Sequence, residues 1–284
     1  MTSPTVGFVG LGNIGGPMAH RLVGWPGGLW VHDVMSDAAA PFVTLGAHAA
    51  DSVAELTEHA DVVSVMVRDD DQVRDVLDQV LDTSRPGLTV LVHSTIHPDT
   101  ARDLAAVAAD REVAVLDAPV SGGAMGAADG TLAILVGGER VAFEVARPVL
   151  ERLGSLVVHL GPAGAGTQAK LARNLLHFVS FTAVTEAQRL AEAAGIDLVA
   201  LGNVVRHTDA ITGGPGAIMH RDTAALLAAD DPWRPILEHV RELGEKDLRL
   251  AMEMGDVLGV DTPLADLSLQ RLAVGLGLVT KEHS

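Results

Sequence analysis

The chain has no cysteine and no tyrosine, and aromatic residues make up only 3% of its 284 residues. The absence of cysteine excludes disulfides, thiolate nucleophiles and cysteine-based zinc sites. Hydrophobic residues still make up 48% of the chain, so the predicted core consists mainly of alanine, valine, leucine and isoleucine. Side chains of this size suit buried parallel strands and closely packed helices.

Basic residues are also few, since 20 Lys and Arg stand against 37 Asp and Glu, for a formal net charge of −17. Such a surface repels nucleic acid and anionic lipid, so neither is expected as a partner. No stretch approaches the ~18 uninterrupted apolar residues of a membrane span, and the N-terminus lacks the pattern of a signal peptide. The sequence therefore predicts a cytoplasmic protein whose acidity serves solubility.

The first half of the chain alternates apolar strand-like runs with amphipathic helices. The predicted strands are residues 6–9, 29–32, 61–67, 88–93, 113–116, 132–136 and 156–160. The predicted helices between them include residues 13–23, 70–82 and 98–110. This alternation is typical of a parallel sheet with helices on both faces, so the predicted class is α/β with a doubly wound Rossmann sheet.

The pattern changes at the turn that begins at Gly161, with the sequence GPAGAG. One long helix is predicted over residues 167–194, with Gly195 as its stop, and the remaining patterns are helical. We therefore predict a cofactor-binding Rossmann domain over residues 1–162. An all-α domain over residues 163–284 is predicted to follow, with the long helix joining the two.

A G-x-G-x-x-G motif follows the first predicted strand and opens a helix. Its residues are Gly10, Leu11, Gly12, Asn13, Ile14 and Gly15. In this context the first glycine permits a tight turn, the second admits a pyrophosphate and the third lets the helix pack on the strand. Asp33 ends the second strand, where a carboxylate accepts hydrogen bonds from ribose hydroxyls and repels a 2′-phosphate. No Arg or Lys occurs at residues 34–37, so NAD is favoured over NADP.

Four segments, in order, resemble the β-hydroxyacid dehydrogenase family, which includes 3-hydroxyisobutyrate dehydrogenase and tartronate semialdehyde reductase. Residues 7–19, GFVGLGNIGGPMA, resemble the family's N-terminal signature. Residues 117–123, DAPVSGG, resemble its substrate-binding segment, and residues 161–174, GPAGAGTQAKLARN, its catalytic segment. Residues 246–248, KDL, resemble its C-terminal cofactor motif. The resemblance covers nearly the whole chain.

The resemblance implies a role for each matching residue. Lys170 would be the catalytic lysine, and Asn174 would help to hold the substrate. The implied ligands of the substrate carboxylate are Ser121, Gly122 and Gly123. The implied cofactor contacts outside the glycine turn are Met66, Val67, Thr95 and Lys246. The family also implies NAD-dependent oxidation of a small 3-hydroxyacid and a homodimeric or homotetrameric assembly.

Some of these roles are also supported by the residues alone, without the family resemblance. Lys170 and Asn174 are four apart on a predicted helix and so project from one face. A lysine serves as a general base when burial and nearby positive charge lower its pKa. The Ser-Gly-Gly segment exposes backbone N–H groups that suit a carboxylate, although a plain turn remains an alternative. No HExxH motif occurs, and His93 and His97 span a predicted strand and turn, so no metal site is expected.

Two residues depart from the family pattern. His239 stands where many members carry Phe against the substrate, and Arg68 replaces the more usual Leu-Pro step. We therefore hypothesise a more polar or bulkier substrate than hydroxyisobutyrate. Three other functions stay open: reduction of a semialdehyde acid, sugar-phosphate oxidation and non-catalytic NAD binding. The short C-terminal domain with few basic residues argues against the second, and the retention of Lys170 and Asn174 against the third.

Overall fold

The computed structural model describes residues 3–219, 221 and 223–278. Its contacts divide the chain into two compact units, residues 1–174 and 175–284. This division falls inside the long helix, further along the chain than the boundary after residue 162 that the sequence pattern predicts. The helix itself is continuous across this division.

The first unit contains a nine-stranded sheet. The strands are β1 Val6–Val9, β2 Leu29–His32, β3 His48–Ala49, β4 Val62–Val65, β5 Thr89–Val92, β6 Ala114–Asp117, β7 Val120–Ser121, β8 Leu132–Gly137 and β9 Gly154–Gly161. Their order is β3-β2-β1-β4-β5-β6-β8-β7, and β9 pairs with β8. Strands β1 to β6 are parallel, so their carboxyl ends meet at one edge of the sheet.

Helices cover both faces of this sheet. Those of the first unit are α1 Gly15–Arg21, α2 Ala40–Thr44, α3 Val53–His59, α4 Asp70–Thr83, α5 Pro98–Ala109, α6 Gly123–Asp129, α7 Arg140–Leu153 and the start of α8 Ala165–Ala193. Successive strand residues enter different cores, as Phe8 and Val9 show. The core around Phe8 includes side chains of α1 and α7, and the core around Val9 includes side chains of α3, α4 and α5. The predicted doubly wound sheet is confirmed.

Beyond β6, the sheet contains antiparallel as well as parallel strand pairs, whereas the sequence pattern predicts a parallel sheet. Strands β8 and β9 do extend the sheet, as predicted, but β8 is antiparallel to both β6 and β7. The two-residue strands β3 and β7 were not predicted, because two residues are too few to show an alternating pattern. The predicted start of α4 agrees with the structure, where the Asp69 carboxylate accepts a hydrogen bond from the Gln72 N–H at 3.1 Å.

The second unit is helical in the residues that the structure describes. It contains the rest of α8, α9 Leu198–Thr212, α10 Arg234–Leu258 and α11 Pro263–Gly275. The buried Glu186 carboxylate of α8 accepts hydrogen bonds from the first turn of α11, from the Leu264 N–H at 3.0 Å and the Ala265 N–H at 2.9 Å. Among the described residues, no helix combines the length and apolar character that a membrane span requires.

Candidate active site

The loop between β1 and α1 places the glycine turn at the carboxyl edge of the sheet. A Cβ on Gly10, whose φ is +92°, would lie 2.2 Å from the Met66 carbonyl oxygen. A Cβ on Gly15 would lie 2.0 Å from the Gly10 carbonyl oxygen, whereas one on Gly12 would meet no protein atom within 4 Å. Packing within the protein therefore requires the first and third glycines. Gly12 faces open space, where a phosphate can approach the backbone.

Asp33 is held directly against this turn. One carboxylate oxygen accepts a hydrogen bond from the Leu11 N–H at 2.6 Å, and the other accepts one from the Met35 N–H at 2.8 Å. A carboxylate has about four lone-pair sites, so each oxygen can still accept a bond from a hydroxyl donor. The geometry thus presents a fixed negative charge and spare acceptors beside the glycine turn, which fits a ribose diol.

A pocket of about 760 Å³ adjoins the turn and Asp33. Its volume is in the range of small-molecule sites. Beyond the glycine turn, the pocket is lined by Asp33, Val34, Met66, Val67, Arg68, Gln72, Asp75, Val76 and Gln79. Met66 and Val67, which the resemblance implies as cofactor contacts, both line this pocket. The Arg68 side chain is exposed, and its Nε is 2.9 Å from a carboxylate oxygen of Asp69.

The Ser94 side chain links the residues that follow β5 to the residues that follow β4. The Ser94 hydroxyl donates to the Val67 carbonyl oxygen at 2.7 Å and accepts from the Val67 N–H at 2.9 Å. The next residue, Thr95, is exposed at this edge. Ser94 therefore fixes the backbone of Val67, which lines the pocket, whereas Thr95 is not among the residues that line it.

The His93 ring is buried between two strands. Its Nδ1 lies 2.9 Å from the Ala118 carbonyl oxygen, and its Nε2 lies 3.3 Å from the Ser64 hydroxyl. Burial lowers the pKa of His93 to about 4, so the ring is neutral near pH 7. The neutral ring then donates from Nδ1 to Ala118 and accepts from Ser64 at Nε2. His93 thus anchors the start of the segment that leads to Ser121.

The predicted substrate segment lies at the other end of that connection. Ser121 ends β7 and is half-buried, whereas Gly122 and Gly123 are exposed. Their φ angles of +137° and +64° are ones that glycine adopts without strain. The segment therefore presents a hydroxyl and backbone N–H groups to the surroundings, as carboxylate binding requires.

Lys170 lies in the second turn of α8, and its side chain is only 8% exposed. It forms no ion pair or hydrogen bond with any residue that the structure describes. Burial lowers the pKa of Lys170, and the positive charge of Arg173 lowers it further. A buried lysine without a counter-ion is costly for stability, and such a group is a candidate for catalysis.

The other three predicted residues lie further along the chain. Asn174 is half-buried, and its side-chain oxygen accepts a hydrogen bond from Arg173 at 3.3 Å. His239 and Lys246 are exposed residues of α10, in the second unit. The Lys246 ammonium lies 3.0 Å from a carboxylate oxygen of Asp247.

The sequence analysis places Asp117 at the start of the segment that resembles the family's substrate-binding segment, but it gives this residue no role of its own. Its carboxylate is buried and accepts hydrogen bonds from the Gly164 N–H at 2.8 Å and the Thr167 N–H at 2.7 Å. Thr167 lies in the first turn of α8, the helix that carries Lys170, and Gly164 immediately precedes that helix. The signal in the sequence is an acid that ends an otherwise apolar strand, and it could have marked Asp117 as a candidate.

Comparisons with known proteins agree over both parts of the chain. Residues 5–161 match the model for the NAD binding domain of 6-phosphogluconate dehydrogenase. Residues 164–281 match the model described as NAD-binding of NADP-dependent 3-hydroxyisobutyrate dehydrogenase.

Three relatives illustrate the similarity. An uncharacterized oxidoreductase of Mycobacterium tuberculosis is 55% identical over 97% of this chain and 94% of its own. An NAD-dependent L-serine dehydrogenase of Pseudomonas aeruginosa is 36% identical over 98% of this chain and 95% of its own. The structure of the Mycobacterium tuberculosis 3-hydroxyisobutyrate dehydrogenase with L-serine superposes with a TM-score of 0.68 at 34% identity, over 95% of this chain and 92% of that one.

The chain belongs to the β-hydroxyacid dehydrogenase family. The family's members are NAD(P)-dependent oxidoreductases, and both matching models are described as NAD-binding, which supports a nicotinamide cofactor. The open space at Gly12 and the acceptors of Asp33 fit the pyrophosphate and ribose of such a cofactor. No cluster of three or more metal-binding side chains occurs among the residues that the structure describes.

Proposed function

We propose that this chain is an NAD-dependent dehydrogenase of a small 3-hydroxyacid, with Lys170 as the general acid and base. The observation that carries the proposal is that Lys170 is buried on the helix that starts at the sheet edge and forms no ion pair with any described residue. Its lowered pKa favours the neutral amine, which is the form that accepts a proton. A protein that only bound the cofactor would not need a buried lysine of this kind.

In the proposed site, substrate binding and proton transfer are carried out by different residues. The substrate carboxylate binds the Ser121 hydroxyl and the backbone N–H groups of Gly122 and Gly123. The substrate hydroxyl donates to neutral Lys170, and Asn174 orients it from the same helix face. A bound nicotinamide would supply the hydride acceptor, and Lys170 would take the proton of the substrate hydroxyl during oxidation. In the reverse direction, the Lys170 ammonium donates that proton to the carbonyl oxygen of a semialdehyde acid.

Assays of reduction and oxidation test this proposal directly. Purified protein is mixed with NAD or NADP and L-serine, 3-hydroxyisobutyrate, 3-hydroxypropionate or glycerate, and reduced cofactor is followed by absorbance. The corresponding semialdehydes are tested with NADH and NADPH. L-Serine is included because a relative is named for it. Turnover with at least one acid supports the proposal, whereas binding of NADH without turnover on any compound would favour a non-catalytic binding protein.

Asp33 should set the preference for NAD. In Asp33→Asn, the repulsion of a 2′-phosphate is lost and a charged acceptor for the ribose becomes neutral. Charge-assisted hydrogen bonds of this kind contribute about 1.5–3 kcal/mol, so the NAD-to-NADP ratio of kcat/KM should fall by about tenfold or more. The measurement is kcat/KM with each cofactor at a fixed substrate concentration.

Asp37→Asn is the matched control for this experiment. Asp37 is an exposed acid four residues further along and does not line the nucleotide pocket. The same change of charge there should leave the cofactor ratio within about twofold of wild type, because exposed charges are screened by solvent. An unchanged ratio in Asp33→Asn would contradict the proposed role of that carboxylate.

His239 should affect the choice of substrate, as the sequence comparison suggests. We expect His239→Phe to raise the rate with the less polar 3-hydroxyisobutyrate relative to L-serine by a fewfold, because a hydrophobic wall distinguishes small polar differences only weakly. The ratio of kcat/KM for the two acids is the measurement. An unchanged ratio would remove His239 from the list of specificity residues.

The chain is also proposed to form a homodimer or homotetramer. Large apolar side chains of α8 and α9 are exposed, among them Leu175, Phe178, Phe181, Val199 and Ile211. Exposed apolar surface of this extent marks interaction sites in soluble proteins. Light scattering coupled to size exclusion tests this proposal, and a monomer across the micromolar range would contradict it.

A further inference from the structure

We propose that Asp117 is a positioning residue that sets the place of Lys170 relative to the substrate-binding segment. The inference rests on the proposed function, in which Lys170 transfers the proton. Asp117 ends β6, and Ser121 follows four residues later. The Asp117 carboxylate accepts two hydrogen bonds from the start of α8, and Lys170 follows Thr167 by three residues, about one turn of the helix.

The residue just before α8 cannot itself supply an acceptor for the start of the helix. The first N–H groups of a helix have no partner inside the helix and need an acceptor. Gly164 immediately precedes α8 and has a φ of +89°, and a Cβ there would lie 3.0 Å from the Pro98 carbonyl oxygen. A serine or aspartate at this position would therefore be strained. Asp117 supplies the acceptor from a distant part of the chain instead.

Close packing holds the same turn against the sheet. A Cβ on Gly166 would lie 2.2 Å from the Leu135 carbonyl oxygen, and one on Gly137 would lie 2.5 Å from an Asp117 carboxylate oxygen. Neither glycine can therefore gain a side chain without displacing backbone or the carboxylate. The first turn of α8 lies directly on the ends of β6 and β8, and the Asp117 carboxylate lies at that contact.

Among the described residues, the Asp117 carboxylate accepts hydrogen bonds only from the Gly164 and Thr167 N–H groups. Asp117 is 2% exposed and has no ion pair with any described Lys, Arg or His side chain. A buried carboxylate is costly unless hydrogen bonds satisfy it. Here the backbone N–H groups at the positive end of α8 provide that compensation. Losing the negative charge should therefore loosen the first turn of α8 and move Lys170.

Asp117→Asn is the test variant, because it keeps the size of the side chain but turns one acceptor into a donor that faces an N–H. Glu186→Gln is the matched control. Glu186 is also a buried carboxylate that accepts two N–H groups from the first turn of a helix, in this case α11. The two variants remove comparable bonds, and only Asp117 holds the helix start next to Lys170.

Two readouts follow the position of Lys170, one of them independent of turnover. The chain has only three lysines, Lys170, Lys246 and Lys281, so acylation by acetic anhydride can be read for each by mass spectrometry. The first readout is the ratio of the acylation rates of Lys170 and Lys246. The second is kcat with the best hydroxyacid, measured beside the dissociation constant of NADH and the melting temperature.

We expect Asp117→Asn to raise the acylation ratio severalfold and to lower kcat by tenfold or more, since displacements near 1 Å can cost about 10²-fold in rate. NADH binding should stay within about threefold, because the glycine turn and Asp33 are intact. Glu186→Gln should lower the melting temperature by a similar amount while keeping kcat and the acylation ratio near those of wild type.

The outcomes separate this inference from the proposed function. If Asp117→Asn matches Glu186→Gln in both readouts, the positioning role is wrong, and a large loss in a Lys170 variant would still support Lys170 as the acid and base. If a Lys170 variant keeps full turnover, the proposed function fails, and the acylation ratio alone decides whether Asp117 positions Lys170. Should Asp117→Asn not fold, Asp117→Ser, which keeps one acceptor, is measured in its place.

Discussion

Replacing Lys170 by methionine is expected to lower kcat about a thousandfold, within the range of 10²–10⁴ that general acid and base groups contribute. Methionine fills a similar volume and suits a buried position, so the fold should be retained. The proton of the substrate hydroxyl would then have no acceptor. The dissociation constant of NADH should be unchanged, because the glycine turn and Asp33 lie on other elements.

A second variant separates proton transfer from simple electrostatics. Lys170→Arg keeps a positive charge but cannot give up its proton at accessible pH. If Lys170 acts as a base in oxidation, the arginine variant should be nearly as slow as the methionine variant. An arginine variant with more than about a tenth of wild-type kcat would show that positive charge alone is sufficient, against the general-base role.

The pH dependence gives a third view of the same residue. Oxidation requires neutral Lys170, so kcat for oxidation should rise with pH and level off above the pKa of Lys170, which burial and Arg173 place below its usual 10.5. Reduction requires the ammonium, so its kcat should fall as pH rises through the same pKa. Profiles that run in the same direction for both reactions would contradict this assignment.

The arrangement of the glycine turn beside Asp33 could be predicted from the sequence, because it depends on local patterns. The spacing of Gly10, Gly12 and Gly15 reports one turn, and Asp33 ends the neighbouring strand. In a parallel sheet, β1 and β2 are adjacent, so their carboxyl ends must meet. Lys170 could also be proposed as the catalytic residue from the sequence, because the resemblance and its position after a glycine-rich turn both indicate it.

Other features of the site could not be predicted from the sequence, because they depend on residues that are far apart in the chain. Asp117 accepts hydrogen bonds from residues 47 and 50 positions further along the chain. His93 meets acceptor and donor groups 25 and 29 positions away. No local pattern reports such pairs. The reversal of β8 was hidden for a related reason, since an apolar run has the same appearance in either strand direction.

His93 should make the stability of the fold depend on pH below about 6.5. Burial lowers its pKa from 6.5 to about 4. Above pH 6.5 the ring is neutral in both folded and unfolded chains, so His93 adds no pH dependence there. Below pH 6.5 the unfolded chain gains a proton that the folded chain does not, so the free energy of unfolding decreases. By pH 4 the contribution of this residue should have lowered stability by about 3 kcal/mol.

His93→Asn isolates this contribution from other acid-sensitive groups. The asparagine amide can still donate to the Ala118 carbonyl oxygen, but it leaves a small cavity and frees the Ser64 hydroxyl. The variant should therefore be less stable than wild type at pH 7.5. It has no titrating ring, so the difference in unfolding free energy should shrink by about 3 kcal/mol between pH 7.5 and pH 4.

The measurement is urea unfolding of both proteins at several pH values, with His97→Asn as the control. His97 is an exposed residue at the start of α5, so removing its ring should leave a curve that runs parallel to that of wild type. A constant difference between wild type and His93→Asn across the acid range would mean that the ring gains its proton as easily in the folded chain. In that case the hydrogen bond to Ala118 would not depend on a neutral ring.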